Sequence, residues 1–260
     1  MSLISGDPLS RLLGRSGILP AVTGSRNRLL LLLGAVVAAA VIVVVVIVLV
    51  DNGGSSSAGD TVGTTTTSGS TTPESVSAFA GVRQVDLELG KATAPNTLYV
   101  FEDPQCPYCR QWSVDALPSA VDEFVRTGQV KFELRPIEVI GSDSEPGIRA
   151  VYAASQQNKA WNMSEALYQR QGQEQSGWIT PGVIAASARE VGADPAAIRK
   201  AMPSKTVTAQ WAASEQLVQQ WGIGGTPTFV LIKQLGTPQQ VNPSSLEPTD
   251  FNAALSAALQ

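Results

Sequence analysis

Histidine is absent from the 260-residue chain, and cysteine occurs only twice, at Cys106 and Cys109. Without histidine there is no His-activated serine or cysteine triad, and the usual imidazole ligands of zinc are missing. Two thiols alone fall short of the four ligands a structural zinc site needs. Charge is sparse as well: 15% of residues are charged and the net charge is −4, which leaves no basic footprint for nucleic acid. No internal repeat is visible.

What is present falls into zones. Residues 1–28 carry Arg11, Arg15, Arg26 and Arg28 against a single acid, Asp7. Leu29 to Val50 then runs 22 residues without a charge. As a helix this run spans roughly 33 Å, enough for a hydrocarbon core of about 30 Å. Its many Val and Ile residues are poor helix formers in water, but in lipid only a helix satisfies every backbone N–H and C=O internally. A cleaved signal peptide is the competing reading; its apolar core is about 7–15 residues and ends in a small-x-small site. This run is longer and ends Val-Leu-Val-Asp, which favours a retained transmembrane helix. Arginines before it and Asp51, Asp60 and Glu74 after it place the N-terminus in the cytoplasm and the remainder outside. Residues 51–79 are rich in Gly, Ser and Thr, too polar to offset chain entropy by burial, and read as a disordered linker.

Residues 80–260 are long enough for one domain with its own core. Val82 to Leu89 alternates weakly as a first strand, and Thr97 to Glu102 more clearly as a second. A helix is expected from the cysteines to about Thr127, kinked or interrupted at Pro118. Val130 to Ile137 alternates as a half-buried strand. A helical region over about 143–221 follows, with segments around Ile148 and Asn162. Thr180-Pro181 and Asp194-Pro195 serve as N-cap and N1 pairs, and a last helix spans Thr206 to Trp221. Thr228 to Lys233 is a strand, Gly236-Thr-Pro a turn, Gln240-Val241 a short partner strand, and Pro248 opens a closing helix.

The chemistry-bearing segment is Phe101-Glu-Asp-Pro-Gln-Cys-Pro-Tyr-Cys-Arg, a strand, a break and a helix start. Cys106 at the helix N-terminus meets orphan N–H groups and the positive end of the macrodipole, which favour a thiolate. Cys109 lies one turn further in and serves as a resolving thiol. Pro107 suits the first turn, where its missing N–H has no helical acceptor. The alternative is a structural disulfide. Across so short a loop it removes only about 2 kcal/mol of unfolded-state entropy, a weak use of the chain's sole cysteine pair. A second motif is Gly222-Ile-Gly-Gly-Thr-Pro-Thr-Phe; on local sequence alone Pro227 reads as an ordinary trans proline at a strand start. Trp112 is placed to pack near the cysteines, and Trp211 and Trp221 read as core. Tyr152 and Tyr168 read as packing residues.

Together the two motifs, 120 residues apart, resemble those of DsbA-like thiol–disulfide oxidoreductases of the thioredoxin-fold superfamily, over residues 80–260. The resemblance implies an α/β thioredoxin fold with a helical insertion, Cys106 as exposed nucleophile, Cys109 as its partner, and a cis Thr226–Pro227 bond beside the sulfurs. It implies no metal or organic cofactor. The implied partners are thiols or disulfides of exported proteins and, for an oxidase, a membrane redox partner of the DsbB or VKOR kind. Reductase or isomerase action, and a tethered binding module with a structural disulfide, are the other readings. This chain departs from the best-known members in three places. Tyr108 stands where they carry histidine, which implies a less oxidising pair. Pro104 stands where an aromatic is common. Val100 stands where thioredoxins bury an acid. Glu102 is the nearest acid for proton transfer to Cys109, although a strand-end acid is by default solvated. Arg110 could support a thiolate electrostatically, although a solvated helix arginine is the default.

Overall fold

The computed structural model describes residues 78–234 and 236–260. The expected cytoplasmic segment 1–28, the transmembrane run 29–50 and linker residues 51–77 lie outside the described residues. No helix among the described residues is long and apolar enough to cross a membrane. Phe79, assigned to the linker by composition, is buried and packs edge-on against Trp161.

One six-stranded sheet organises the domain, in the order β1-β2-β4-β3-β5-β6. The first expected strand is instead a tight hairpin of β1 (Gln84–Val85) and β2 (Glu88–Leu89). Asp86 turns the chain at φ 51°, a left-handed conformation that aspartate tolerates better than most residues. The central pair, β3 (Asn96–Glu102) and β4 (Val130–Pro136), is parallel. β5 (Thr228–Lys233) runs antiparallel to β3, and β6 (Gln239–Val241) antiparallel to β5. Strand periodicity assigns the faces. Leu98, Val100, Phe132, Phe229 and Leu231 enter the main core. Phe101 and Val230 turn to the opposite face, against Ile137, Ile223 and Trp221.

The β3–β4 crossover is one helical rod of changing pitch: α1 (Pro107–Gln111), a wide π turn (Trp112–Ala116), α2 (Leu117–Ala120) and a second π turn (Val121–Val125). Pro118 has no N–H to continue the α-helical ladder, and the turn before it closes instead through Leu117 N–H to the Trp112 carbonyl. The insertion comprises α3 (Glu145–Ser155), α4 (Ala160–Tyr168), α5 (Pro181–Glu190), α6 (Pro195–Ala201) and α7 (Lys205–Trp221). Both expected caps form: Thr180 accepts from Val183 N–H and Asp194 from Ala196 N–H. α8 (Pro248–Leu259) packs beside α2 and delivers Phe251 to a cluster with Trp112 and Phe229. Trp112 is thus fully buried one turn below the cysteines. Trp211 lies at the edge of the main core rather than within it: half-buried, it donates to Glu215 and stacks under Arg149. Tyr152 is core, its hydroxyl bridging the Pro136 carbonyl and the Ser214 hydroxyl.

Candidate active site

β3 ends at Glu102, and the next four residues turn the chain into α1 at the C-terminal end of the parallel pair. Asp103 shapes that turn. Its Oδ1 accepts from Gln105 N–H at 2.8 Å and from the Ser144 hydroxyl at 2.6 Å. Its Oδ2 accepts from Val139 N–H at 2.7 Å and Ile140 N–H at 2.8 Å. Four donors on one buried carboxylate tie the cysteine loop to the end of β4 and the start of the insertion. Gln171 adds a second tie, donating to the carbonyls of Pro104 (2.9 Å) and Cys106 (3.1 Å). Pro104 fills the space left by Gly147 of α3.

Cys106 is the N-cap of α1, with extended backbone at φ −71° and ψ 119°, and Pro107 follows in the first turn. Both thiols are free. The Cys106 sulfur donates to the Thr226 carbonyl at 3.3 Å, so the two motifs meet at one sulfur. The Thr226–Pro227 bond is cis. Expected as exposed, Cys106 is only 3% accessible, because the Thr226–Pro227 loop covers it; Tyr108, 63% accessible, marks the rim. Cys109 is fully buried.

Burial and hydrogen bonding set the two thiols apart. The Cys109 thiol, as hydrogen-bond partner, is the largest influence drawing Cys106 down to about 6; the Thr226 side chain and the N–H groups of Cys109 and Tyr108 add to it, against burial. Burial first, then the hydrogen bond to Cys106, pushes Cys109 well above the ordinary thiol range. This is the asymmetry of a nucleophile and a protonated partner.

Glu102 overturns its solvated expectation: it is 2% accessible, and burial raises its carboxyl to about 8. Its Oε2 accepts from the Ser164 hydroxyl at 3.3 Å, while Oε1 is buried with no hydrogen-bond partner. Tyr168, read from sequence only as packing, closes the site. It is fully buried against Cys106 and Cys109, and its hydroxyl donates to the Asp103 carbonyl at 3.2 Å. Arg110 is an exposed helix arginine, as its default reading has it, and its Nε donates to the Tyr168 carbonyl at 3.1 Å. Sequence reasoning missed Asp103, Ser164, Tyr168 and Gln171. Only Asp103 had a local signal, an aspartate two residues before an N–H it caps. No group of three or more His, Cys, Asp or Glu able to hold a metal ion occurs among the described residues.

An open groove of about 300 Å³ adjoins the cysteines, lined by Tyr108, Thr226, Pro227, Gln240, Asn242 and Leu246 among others. No residue lining it is charged.

A protein-family model described as Thioredoxin matches residues 83–245. The probable disulfide bond formation protein D of Bacillus cereus is 29% identical over 154 residues, 58% of this chain and 71% of that protein. The thiol:disulfide interchange protein DsbG of Pseudomonas aeruginosa is 28% identical over 151 residues, 58% of this chain and 48% of its own length. Among solved structures, oxidised BdbD from Bacillus subtilis shares the fold with a TM-score of 0.57 at 22% identity, covering 68% of this chain and 97% of that one. A thioredoxin-like oxidoreductase from Silicibacter pomeroyi aligns with a TM-score of 0.53 at 26% identity, over 72% of this chain and 96% of the other.

Proposed function

This chain belongs to the thioredoxin family, and from that premise we propose that it forms disulfides in exported proteins through Cys106 and Cys109. It is a thiol–disulfide oxidoreductase. The observation that carries the exchange chemistry is the split between an acidified Cys106 at a helix N-terminus and a buried, protonated Cys109; an acidic Cys106 favours the dithiol form, which supports the oxidising direction.

In the oxidised enzyme, a substrate thiolate attacks Cys106 Sγ. The Cys106–Cys109 bond breaks, and Cys109 leaves with the electron pair. Its thiolate, in a dry site, takes a proton from Glu102, which is largely protonated at neutral pH. The substrate's second thiolate then attacks its own sulfur in the mixed disulfide and expels Cys106, a good leaving group because its thiol is acidic. Two electrons have passed to the enzyme and one disulfide to the substrate. No metal or organic cofactor takes part. A partner that accepts two electrons must restore the disulfide, and a membrane oxidase of the DsbB or VKOR kind supplies that chemistry. The uncharged groove beside Tyr108 and Pro227 suits an extended peptide flanking the reacting cysteine, the Thr226 backbone offering it main-chain hydrogen bonds.

The proposed setting is extracytoplasmic, with residues 29–50 as a single-pass anchor, 1–28 on the cytoplasmic side and 51–77 as tether. The direction is tested by equilibrating the full chain, in detergent, with glutathione redox buffers. An oxidase keeps its dithiol until the buffer is strongly oxidising, because an acidic Cys106 stabilises the reduced form. A pair already oxidised in reducing buffer makes the chain a reductase instead.

A further inference from the structure

The buried acid of the site is held from the insertion, not from the sheet that carries the cysteines. Ser164 and Tyr168 are four residues apart on α4 and so share one face. The Ser164 hydroxyl donates to Glu102, and Tyr168 packs with both cysteines. We propose that Ser164 and Tyr168 are positioning residues that keep Glu102 able to give up and take back a proton at Oε1, and that the helical insertion thereby sets the rate at which Cys109 exchanges its proton. The inference rests on the assignment of Glu102 as proton partner of Cys109.

The physical argument starts from the two oxygens. A carboxylate in a fully dry site with no donor stays protonated and cannot act as a base. The Ser164 hydroxyl stabilises the ionised form at Oε2. The Tyr168 hydroxyl donates to the Asp103 carbonyl and, beside Glu102, also favours the ionised carboxyl. Oε1, buried and unpartnered, is left as the atom where the proton lands. The other ionisable groups around this centre are Cys106, Cys109 and Asp103. Arg110 reaches only the Tyr168 backbone.

The step tested is resolution. With a mixed disulfide on Cys106, Cys109 passes its proton to Glu102 Oε1, and its thiolate attacks Cys106 Sγ. The Cys106–Cys109 bond forms as the outer thiolate departs. The probe is the thionitrobenzoate mixed disulfide made on Cys106 of the detergent-solubilised full chain, with coloured thiolate release followed by stopped flow across pH. Resolution is expected to speed up with pH as Glu102 ionises. Ser164→Ala is expected to move that midpoint alkaline by about half to one pH unit, the worth of one hydrogen bond, and Ser164→Thr to restore it. Tyr168→Phe is expected to shift it in the same direction. Alkylation of Cys106 in the reduced Ser164→Ala chain keeps the parent pH profile. If Glu102→Gln flattens the resolution profile but Ser164→Ala leaves it unmoved, the insertion does not set the step and this inference is overturned, while the assignment of Glu102 stands. If Glu102→Gln itself leaves the profile unchanged, the assignment of Glu102 is the part that fails.

Discussion

The Cys106 sulfur lies 3.3 Å from the carbonyl oxygen of Thr226, a residue 120 positions later in the chain. The contact favours the thiol, since the carbonyl accepts its proton; what acidifies Cys106 is first the Cys109 thiol and then donors around it. Iodoacetamide alkylation of Cys106 against pH is therefore expected to show a midpoint near 6. Cys109→Ala removes the largest influence and raises the midpoint toward the free-thiol value of about 8.5. The depressed thiol also has a linkage consequence. It stabilises the reduced fold fully above the unfolded thiol's pKa, and that contribution is lost as pH falls through about 6.

Glu102 has the opposite sign. Its folded carboxyl is raised to about 8 from an ordinary 4.5, so the folded state binds the extra proton between those values. Ionising it in place penalises the native state increasingly from about pH 4.5 to pH 8, and fully above that. Glu102→Gln is expected to stabilise the reduced chain by several kcal/mol above about pH 8, with the gain fading below about pH 5. Urea unfolding of parent and variant at a series of pH values checks this. A constant difference at all pH values contradicts the buried-acid assignment.

Gly147 allows α3 to approach the cysteine loop. An added Cβ would meet Pro104 Cβ at 2.9 Å, Pro104 Cγ at 3.0 Å and Ile179 Cδ1 at 3.1 Å. Gly147→Ala is expected to destabilise by about 1–3 kcal/mol and to shift Pro104, and with it the position of Cys106. Gly224, whose Cβ would meet nothing within 4 Å, is the control: its alanine variant is expected within about 0.5 kcal/mol of the parent. Thermal unfolding of both variants separates overpacking from a general intolerance of glycine replacement.

For the proposed topology, protease added outside intact cells is expected to cut within residues 51–77 and release a soluble fragment carrying both cysteines. Protection of residues 80–260 in that assay would reverse the orientation and remove the oxidising compartment from the account.

Much of the fold was legible because its signals are local. Thr180 and Asp194 cap through contacts two or three residues away, and the strand at Val130–Pro136 alternates strictly between buried and half-buried positions. The cysteine pair was legible for the same reason. What could not be read is what sequence distance hides. Glu102 looks like any strand-end acid until Ser164, 62 residues on, comes within 3.3 Å of it. Tyr168 looks like packing until its hydroxyl meets the Asp103 carbonyl, 65 residues back. Cys106 was expected in the open because the covering loop around Thr226 arrives from the other end of the domain. Trp211 has the spacing of a core residue, yet tertiary packing leaves its ring half-exposed beneath Arg149.

The central claim, that Cys106 attacks and Cys109 resolves, is tested most directly by trapping. Full-length Cys109→Ser and Cys106→Ser chains are incubated with oxidised glutathione, and the adducts are identified by mass spectrometry. Cys109→Ser is expected to accumulate a stable glutathione adduct on Cys106 at near-neutral pH, while Cys106→Ser, left with a buried protonated thiol, stays unmodified. Equal or faster modification of Cys109 in the Cys106→Ser chain would contradict the account.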